Sequence, residues 1–247
     1  NLPEQVRPAL RAKVAKAIEQ LGYVPHAGAR ALSLNRSGTF GAVIPTIDNA
    51  IFAHGVQAFQ RRISAHGYQL LLAFTDYRAE EELAQSLNLL GRGVDAIALI
   101  GTSQSPELIA RLAQRGLPWV HIGSFPAPDG AACIGFRNRR AIGASARHLL
   151  ELGHRNIAML AGVSHGNDRA RDRISGLKAA LRRGQVVLPA AYVVESAYEI
   201  GPARAATARL LALTRRPSAI VCGNDVLAWG AMLEAALAAA TAATNHH

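Results

Sequence analysis

Gly162-Val163-Ser164-His165-Gly166 fits the Gly-x-Ser-x-Gly turn that lifts a nucleophilic serine above a strand end, and it stands between a strand pattern and a helix pattern. An acyl-transfer triad in that setting needs an acid and then a histidine downstream. Asp225 could be the acid, but the only later histidines are His246 and His247 at the end of the chain. The helix that follows the serine also opens with Asn-Asp-Arg-Ala-Arg-Asp-Arg, whereas a nucleophile helix is buried in its fold. An α/β hydrolase is therefore a remote alternative. Gly91-Arg92-Gly93 precedes a strand instead of following one, so these glycines stop a helix and do not cradle a phosphate. His54, His66, His121, His148, His154 and His165 show no spacing with Cys, Asp or Glu that suggests a metal site. No pair of carboxylates falls at matching strand ends to carry acid and base catalysis. The chain reads as a non-enzyme with no metal and no cofactor.

Charge is the stronger signal. There are 27 basic against 17 acidic residues, a formal net charge of +10. Such an excess favours polyanionic partners through counterion release. Lysine occurs only at positions 13, 16 and 178, so the excess is almost all arginine, and part of it records compositional bias in an alanine-rich chain.

The elements that must position these residues follow from periodicity. With 247 residues, 50% hydrophobic and 18% charged, the chain is long enough for more than one globular core. Past residue 38, short β-branched runs alternate with amphipathic stretches, the pattern of parallel strands with crossover helices. Strands are expected at Phe40 to Pro45, Gln69 to Thr75, Ala96 to Ile100, Trp119 to Ile122 and Ala132 to Gly135. Between them come helices Ala53 to His66, Ala79 to Leu90 and Pro106 to Arg115, with Gly67, Gly91 and Gly116 at the stops. The alternation then restarts, with helix Arg140 to Leu152, strand Ile157 to Ala161, helix Asp168 to Arg183, strand Tyr192 to Glu195, helix Ile200 to Leu213, strand Ala219 to Cys222 and helix Val226 to Ala240.

The fold class is α/β, with two doubly wound parallel-sheet subdomains facing each other across a cleft and a short helical segment before them. Ligands of such sheets sit at the carboxyl ends of the strands. Those ends mark Pro45 to Phe52, Gly101 to Ser103, Gly123 to Phe125, Gly162 to Arg173 and Gly223 to Asp225 as cleft candidates. No stretch is long and apolar enough for a membrane span, and Cys133 and Cys222 lie in separate apolar runs as reduced core residues would, which points to the cytoplasm.

Residues 1–37 stand apart. Leu10, Val14, Ile18 and Leu21 follow helical spacing up to Gly22, and a short second helix is expected from His26 to Leu34 after Pro25. Six basic residues face two acidic ones in this section, the densest net charge in the chain. The division is 1–37, 38–136 and 137–247.

The run from Leu10 through Gly22-Tyr-Val-Pro-His-Ala-Gly-Ala-Arg-Ala-Leu32 resembles the end of the headpiece and the hinge helix of the lactose-repressor (LacI/GalR) family. The resemblance continues in order through Gly41-Ala-Val-Ile-Pro45, Asp48-Asn-Ala-Ile-Phe52, Gly93-Val-Asp-Ala-Ile97, His148-Leu-Leu-Glu-Leu-Gly-His-Arg-Asn-Ile157, Arg173-Ile-Ser-Gly176 and Asn224-Asp225. It implies a ligand-responsive, DNA-binding transcriptional regulator with a periplasmic-binding-protein-like type I core. Its partners would be operator DNA, a small-molecule effector and a second copy of the chain, paired through helix Ala53 to His66 and the segment from Glu80 to Leu90. The DNA-facing set it implies is His26, Ala29, Arg30 and Leu32. Leu32 would wedge between base pairs and Arg30 would reach phosphates, while Ala27, Gly28, Ala29 and Ala31 are small enough for two hinge helices to approach in a narrow groove.

The effector set it implies is Ile51 and Phe52 from the first unit and Arg173, Asn224 and Asp225 from the second, and Arg137 and Arg140 are added to it where this chain departs from the family. Where the family usually carries an aspartate before Asn138, this chain has Arg137, with Arg139 and Arg140 following. Arg169, Arg171 and Arg173 crowd the start of a facing helix, where backbone N–H groups also favour anions. The expected effector is a sugar acid or small carboxylate. Against the family pattern most of the helix-turn-helix and the C-terminal end are absent, and His246 and His247 resemble the remnant of a purification tag. From the α/β section alone a periplasmic solute-binding protein fits as well. Such a protein would begin close to its first strand, so the basic helical section decides for the regulator.

Overall fold

The computed structural model describes residues 6–23 and 36–244. The expected hinge helix lies outside these residues, and with it His26, Ala29, Arg30 and Leu32. Helix α1 (Pro8–Leu21) starts with proline in its first turn and ends at Gly22, whose φ of +57° lets the chain turn out of the helix. Leu10, Val14 and Ile18 make an apolar stripe, yet no residue of α1 is buried.

The first sheet is built from β1 (Thr39–Ile44), β2 (Gln69–Phe74), β3 (Ala96–Ile100), β4 (Trp119–Ile122) and β5 (Cys133–Ile134). All its pairings are parallel, in the order β2-β1-β3-β4-β5. Helices α2 (Ala50–Ser64), α3 (Ala79–Gly91) and α4 (Pro106–Gln114) supply the crossovers. After α5 (Asn138–Glu151) comes a second parallel sheet, β7-β6-β8, from β6 (Ile157–Gly162), β7 (Val193–Ser196) and β8 (Ala219–Cys222), with α6 (Asp168–Arg183), α7 (Ile200–Leu211) and α8 (Asp225–Thr244).

Both sheets are covered on both faces, which is why their central strands read as unbroken apolar runs. Val43 and Leu99 pack against Leu89 and Leu90 of α3 and Leu108 and Leu112 of α4, while Ala42, Ile44 and Ala98 meet Phe52, Val56 and Phe59 of α2. In the second unit Ile157 and Met159 face Leu177 and Leu181 of α6, and Leu160 faces Ala203, Ala206 and Leu227 of α7 and α8. Each unit thus has its own core. The chain reverses its winding between β1 and β3 in one sheet and between β6 and β8 in the other, so the loops at those carboxyl ends splay apart and leave a crevice.

Boundaries differ from expectation where a cap decides. Helix α2 begins at Ala50, not Ala53, because the buried Asn49 side chain accepts from Ile51 N at 3.3 Å and starts the helix a turn earlier. Gly91 is the last helical residue of α3, and the left-handed turn that leaves the helix falls at Gly93, φ +73°. Strand β5 pairs over only two residues. Among the described residues no helix is long and apolar enough to cross a membrane. Cys133 and Cys222 are unpaired, and burial pushes the Cys222 thiol up to about 11, which keeps it protonated at neutral pH.

The packing sets a clear contrast in stability. Leu177 is 0% exposed, so Leu177→Ala is expected to cost about 3 kcal/mol in urea unfolding, whereas Leu21→Ala, at 80% exposed, should change it by less than about 0.5 kcal/mol.

Candidate functional site

A cavity of about 390 Å³ lies in the crevice between the two sheets. Its first-unit wall is apolar, with Ile51 and Phe52 at the start of α2 and Phe136 on the crossing segment. Its second-unit wall is polar, with Asn167, Arg169 and Arg173 around α6 and Asn224 and Asp225 where β8 passes into α8. Tyr77 and Tyr198 close it from opposite sides, their ring centroids 5.5 Å apart.

Local sequence explains the second-unit wall. Asn167 caps α6 by accepting from Ala170 N at 3.3 Å. From that start the helical period of 3.6 residues puts Arg169 and Arg173 on one face, four positions apart. Arg171 turns away, and its guanidinium donates to the Ser164 carbonyl at 3.0 Å. At β8 the Asn224 side chain accepts from Leu227 N at 3.0 Å and Asp225 accepts from Val226 N at 3.0 Å, so both are fixed by the first turn of α8.

Asp168 joins the two units. One of its oxygens accepts from Thr102 N at 3.1 Å, Thr102 Oγ1 at 2.9 Å and Ser124 Oγ at 2.6 Å, all in loops of the first unit. The other accepts from Arg169 Nη1 at 2.9 Å. Burial alone would raise this carboxyl, but Arg169 and the donors from Ser124 and Thr102 outweigh it and hold it below the ordinary value of 3.8. Ser103 Oγ adds a bond to the Gly166 carbonyl at 2.9 Å. Gly101 makes this approach possible, because with φ +79° a Cβ there would occupy the space of the Arg169 guanidinium and the Asp168 carboxylate.

Arg173 is different. Its Nε donates to Asn138 Oδ1 at 3.0 Å, and no carboxylate lies within ion-pair distance among the described residues. Burial lowers its pKa from the ordinary guanidinium value, and it remains a cation facing the cavity. Burial raises the Tyr77 phenol, helped by Tyr198, so the Tyr77 hydroxyl acts as a neutral hydrogen-bonding group. Tyr77 is held in the left-handed region, φ +62°, directly after Asp76 at φ +48°. Non-glycine residues adopt such conformations at a cost, and they gather at ligand clamps.

The structure brings Ile51, Phe52, Arg173, Asn224 and Asp225 to the cavity. It does not bring Arg137 or Arg140 there. Arg137 precedes the first turn of α5 with its guanidinium 4.9 Å from the centre of the Phe125 ring, and both arginines line a separate groove outside the crevice. The inward residue at that helix start is Asn138, 1% exposed, which donates to the Gly123 carbonyl at 3.0 Å and accepts from Arg173. Successive helical residues point about 100° apart, so Asn138 facing in turns its neighbours out. Tyr77, Phe136 and Tyr198 were not among the expected site residues. Asn167 and Arg169 lie in the expected cleft stretch Gly162 to Arg173, and of the three arginines expected at that helix start Arg169 and Arg173 line the cavity while Arg171 does not.

The Gly162-to-Gly166 stretch serves this architecture instead of a triad. Gly166 receives the Ser103 bond, Ser164 N donates to Glu195 Oε2 at 2.9 Å, and among the described residues no histidine is hydrogen-bonded to Ser164. No group of three His, Cys, Asp or Glu among the described residues is placed to hold a metal ion.

Two parallel-sheet units around a cleft that is mostly apolar, with a few polar side chains from the second unit, define a ligand-binding core of the periplasmic-binding type. Residues 37–244 match the family described as periplasmic binding proteins and sugar binding domain of LacI family. The chain is 30% identical to the HTH-type transcriptional regulator GntR of Escherichia coli K12 over 94% of its own length and 69% of that protein. It is 28% identical to catabolite control protein A of Priestia megaterium, over 91% and 68%. A LacI-family regulator from Silicibacter pomeroyi superposes with a TM-score of 0.82 at 26% identity, covering 93% of this chain and 69% of that one. The chain belongs to the LacI family and is a transcriptional regulator; its relatives are regulators and not enzymes.

The Asp168 contacts set a measurable pH dependence. A carboxyl lowered on folding stabilises above its unfolded value, near 3.8, and that stabilisation disappears as pH falls through the lower folded value. Asp168→Asn should cost about 2 kcal/mol in urea unfolding at pH 7, remove the acid limb from the pH profile and enlarge the radius of gyration in small-angle scattering. An unchanged midpoint and an unchanged acid limb would refute the assignment.

Proposed function

We propose that this core binds a small hydroxylated anion, a sugar acid or carboxylate, in the cavity between the units, and that the closure it favours controls operator binding through the hinge residues His26, Ala29, Arg30 and Leu32. Arg173 carries the reading. Arg169 is neutralised by Asp168, which leaves Arg173 as a half-buried guanidinium that makes no ion pair with a carboxylate among the described residues. A ligand carboxylate would supply that charge, ligand hydroxyls would meet Asn224 and Asp225, and its apolar edge would lie on Phe52 and Phe136. The "Ribose operon repressor" of Escherichia coli K12, 30% identical over 93% of this chain, is named for a sugar operon, which supports a sugar-derived effector.

The route from closure to DNA starts at Asp95. Its carboxylate accepts from Ser37 N at 2.8 Å and Gly38 N at 2.9 Å, tying the chain that leaves the hinge to the start of β3. A ligand that prefers the closed arrangement shifts the population by its difference in affinity for the two states.

Operator recognition by paired hinges asks for two copies of the chain in the cytoplasm. The expected first-unit surface is strongly polar at Gln60, Arg61 and Arg62 of α2, whereas α8 leaves Trp229, Met232, Leu233 and Leu237 exposed. The α8 face is therefore a second candidate contact beside the expected one. Trp229→Glu is expected to convert a dimer into a monomer in ultracentrifugation at tens of micromolar, and a wild-type monomer would overturn the pairing.

The effector reading is tested by a thermal-shift screen of sugars, sugar acids and dicarboxylates, because saturation at a hundred times Kd adds about 2.7 kcal/mol. Sugar acids should raise Tm, and by calorimetry Arg173→Ala should lose about 2 kcal/mol or more of their binding. A response to neutral sugars alone would reject the anion and leave the regulator in place.

A further inference from the structure

Five arginines that the cleft does not use, Arg137, Arg139, Arg140, Arg147 and Arg183, surround one groove of about 530 Å³ on the outer face of α5 and α6. A glycine crossing makes the groove. The helices approach so closely at Gly176 that a Cβ there would run into the main chain of Arg139, and Gly143 faces the Gly176 carbonyl across the same contact. Small residues at the crossing leave a floor of Gly143, Gly176 and Ala179, with long side chains rising around it. Arg147 lies over that floor, its Nη1 3.8 Å from the place a Cβ on Gly143 would take.

The charge in this groove is unbalanced. Among the described residues Asp172 is the single carboxylate in its lining; it lies close enough to be attracted by Arg139 but makes no ion pair with any of the five arginines. None of the five has a side-chain hydrogen bond among the described residues, and Arg137 only covers the Phe125 ring. Arg78, Arg111 and Arg204 are paired with Glu81, Glu107 and Glu234, whereas Arg61, Arg62, Arg182 and Arg209 are also without an ion pair among the described residues, so what sets these five apart is that they share one hollow. Helix α5 adds the positive end of its dipole beside Arg137, with no acidic residue in its first turn. Like charges gathered around a concavity focus a positive field into it, and their planar guanidinium groups match phosphate oxygens.

We propose that this groove is a second anion site, separate from the cleft, for a small molecule carrying two or more phosphate groups. Its size falls within the usual range of small-molecule sites, roughly 300–1,000 Å³, and its arginines ring a hollow instead of following a ridge as a DNA backbone would require. Phe125 and Pro126 supply an apolar wall from the β4–β5 loop of the first unit, whereas the arginines belong to the second. The occupant therefore bridges the crossover between units.

Inorganic tripolyphosphate is the probe, titrated into the whole chain by calorimetry at about 0.15 M salt. One site per chain is expected. Arg139→Ser combined with Arg147→Ser, both at exposed positions, should weaken binding by about tenfold or more without moving Tm. Arg61→Ser with Arg62→Ser, which removes the same charge from α2, and Arg173→Ala, which removes the cleft cation, should each leave affinity within about twofold. No binding at millimolar tripolyphosphate would overturn the proposal. So would an equal loss in the α2 pair, which would reduce the effect to net charge, or a loss with Arg173→Ala, which would put the anion in the cleft. Random-sequence duplex DNA held by the same arginines and not displaced by tripolyphosphate would make the groove a nucleic-acid surface instead.

Discussion

The carboxylate of Asp168 is the point on which the relation between the two units depends. It stands at the first residue of α6, where Asn167 sets the helix start, and it reaches the loops that follow both β3 and β4. Charge-assisted hydrogen bonds of this kind are strong one by one, but their net worth is reduced by the desolvation of the carboxylate. That balance suits a joint that must open. The apolar cores are each complete within one unit, so parting the units would cost polar contacts and expose little core surface. A joint built from leucines would have fused the two units into one rigid body.

The same carboxylate also determines what the cavity can hold. Two guanidinium groups four residues apart on one helix face repel each other, and Asp168 neutralises the nearer of them. Among the described residues, the cavity is left with one unpaired cation at Arg173 and one carboxylate at Asp225, on different elements. Such a site has a pole for an anionic group and a pole for hydroxyls, and it would disfavour a symmetric dianion. Tyr77 adds shape to this. Its left-handed backbone is held by Asp76 N donating to the Pro45 carbonyl at 2.9 Å and Arg78 N donating to the Thr75 carbonyl at 2.8 Å, which aims the ring across the crevice at Tyr198.

Legibility in the sequence followed the range of the physics involved. Strands β3, β4 and β8 and helix α6 have the expected bounds because periodicity and punctuation coincide there, as at Asn167 before α6 and Gly184 after it. The start of α2 was misjudged because a buried side-chain cap, Asn49, outweighs the apolar periodicity that begins later. Ile51, Phe52, Arg173, Asn224 and Asp225 were readable through resemblance, since each follows a strand end whose position the alternation already marks. Arg137 and Arg140 were misplaced because one residue of rotation at a helix start decides between cavity and surface. Tyr77 and Tyr198 meet only when loops from different units face each other, and nothing local in either loop records that meeting.

Helix α6 contributes to both arginine-lined surfaces, the cavity and the outer groove. Arg169 and Arg173 face the cavity, whereas Asp172, Gly176 and Arg183 face the outer groove, and between them Leu177 and Leu181 are fully buried against β6. A helix packed that tightly moves with its sheet and does not bend locally. The far walls of both sites, Phe52 on one side and Phe125 on the other, belong to the first unit. Any rotation of the units would therefore change the width of both sites at once. An effector in the cleft and a polyphosphate in the groove would be coupled through that rotation, and by linkage each would alter the affinity of the other by the same factor. The coupling requires no pathway of side chains between them, only a rigid helix shared by two sites and a polar joint weak enough to open.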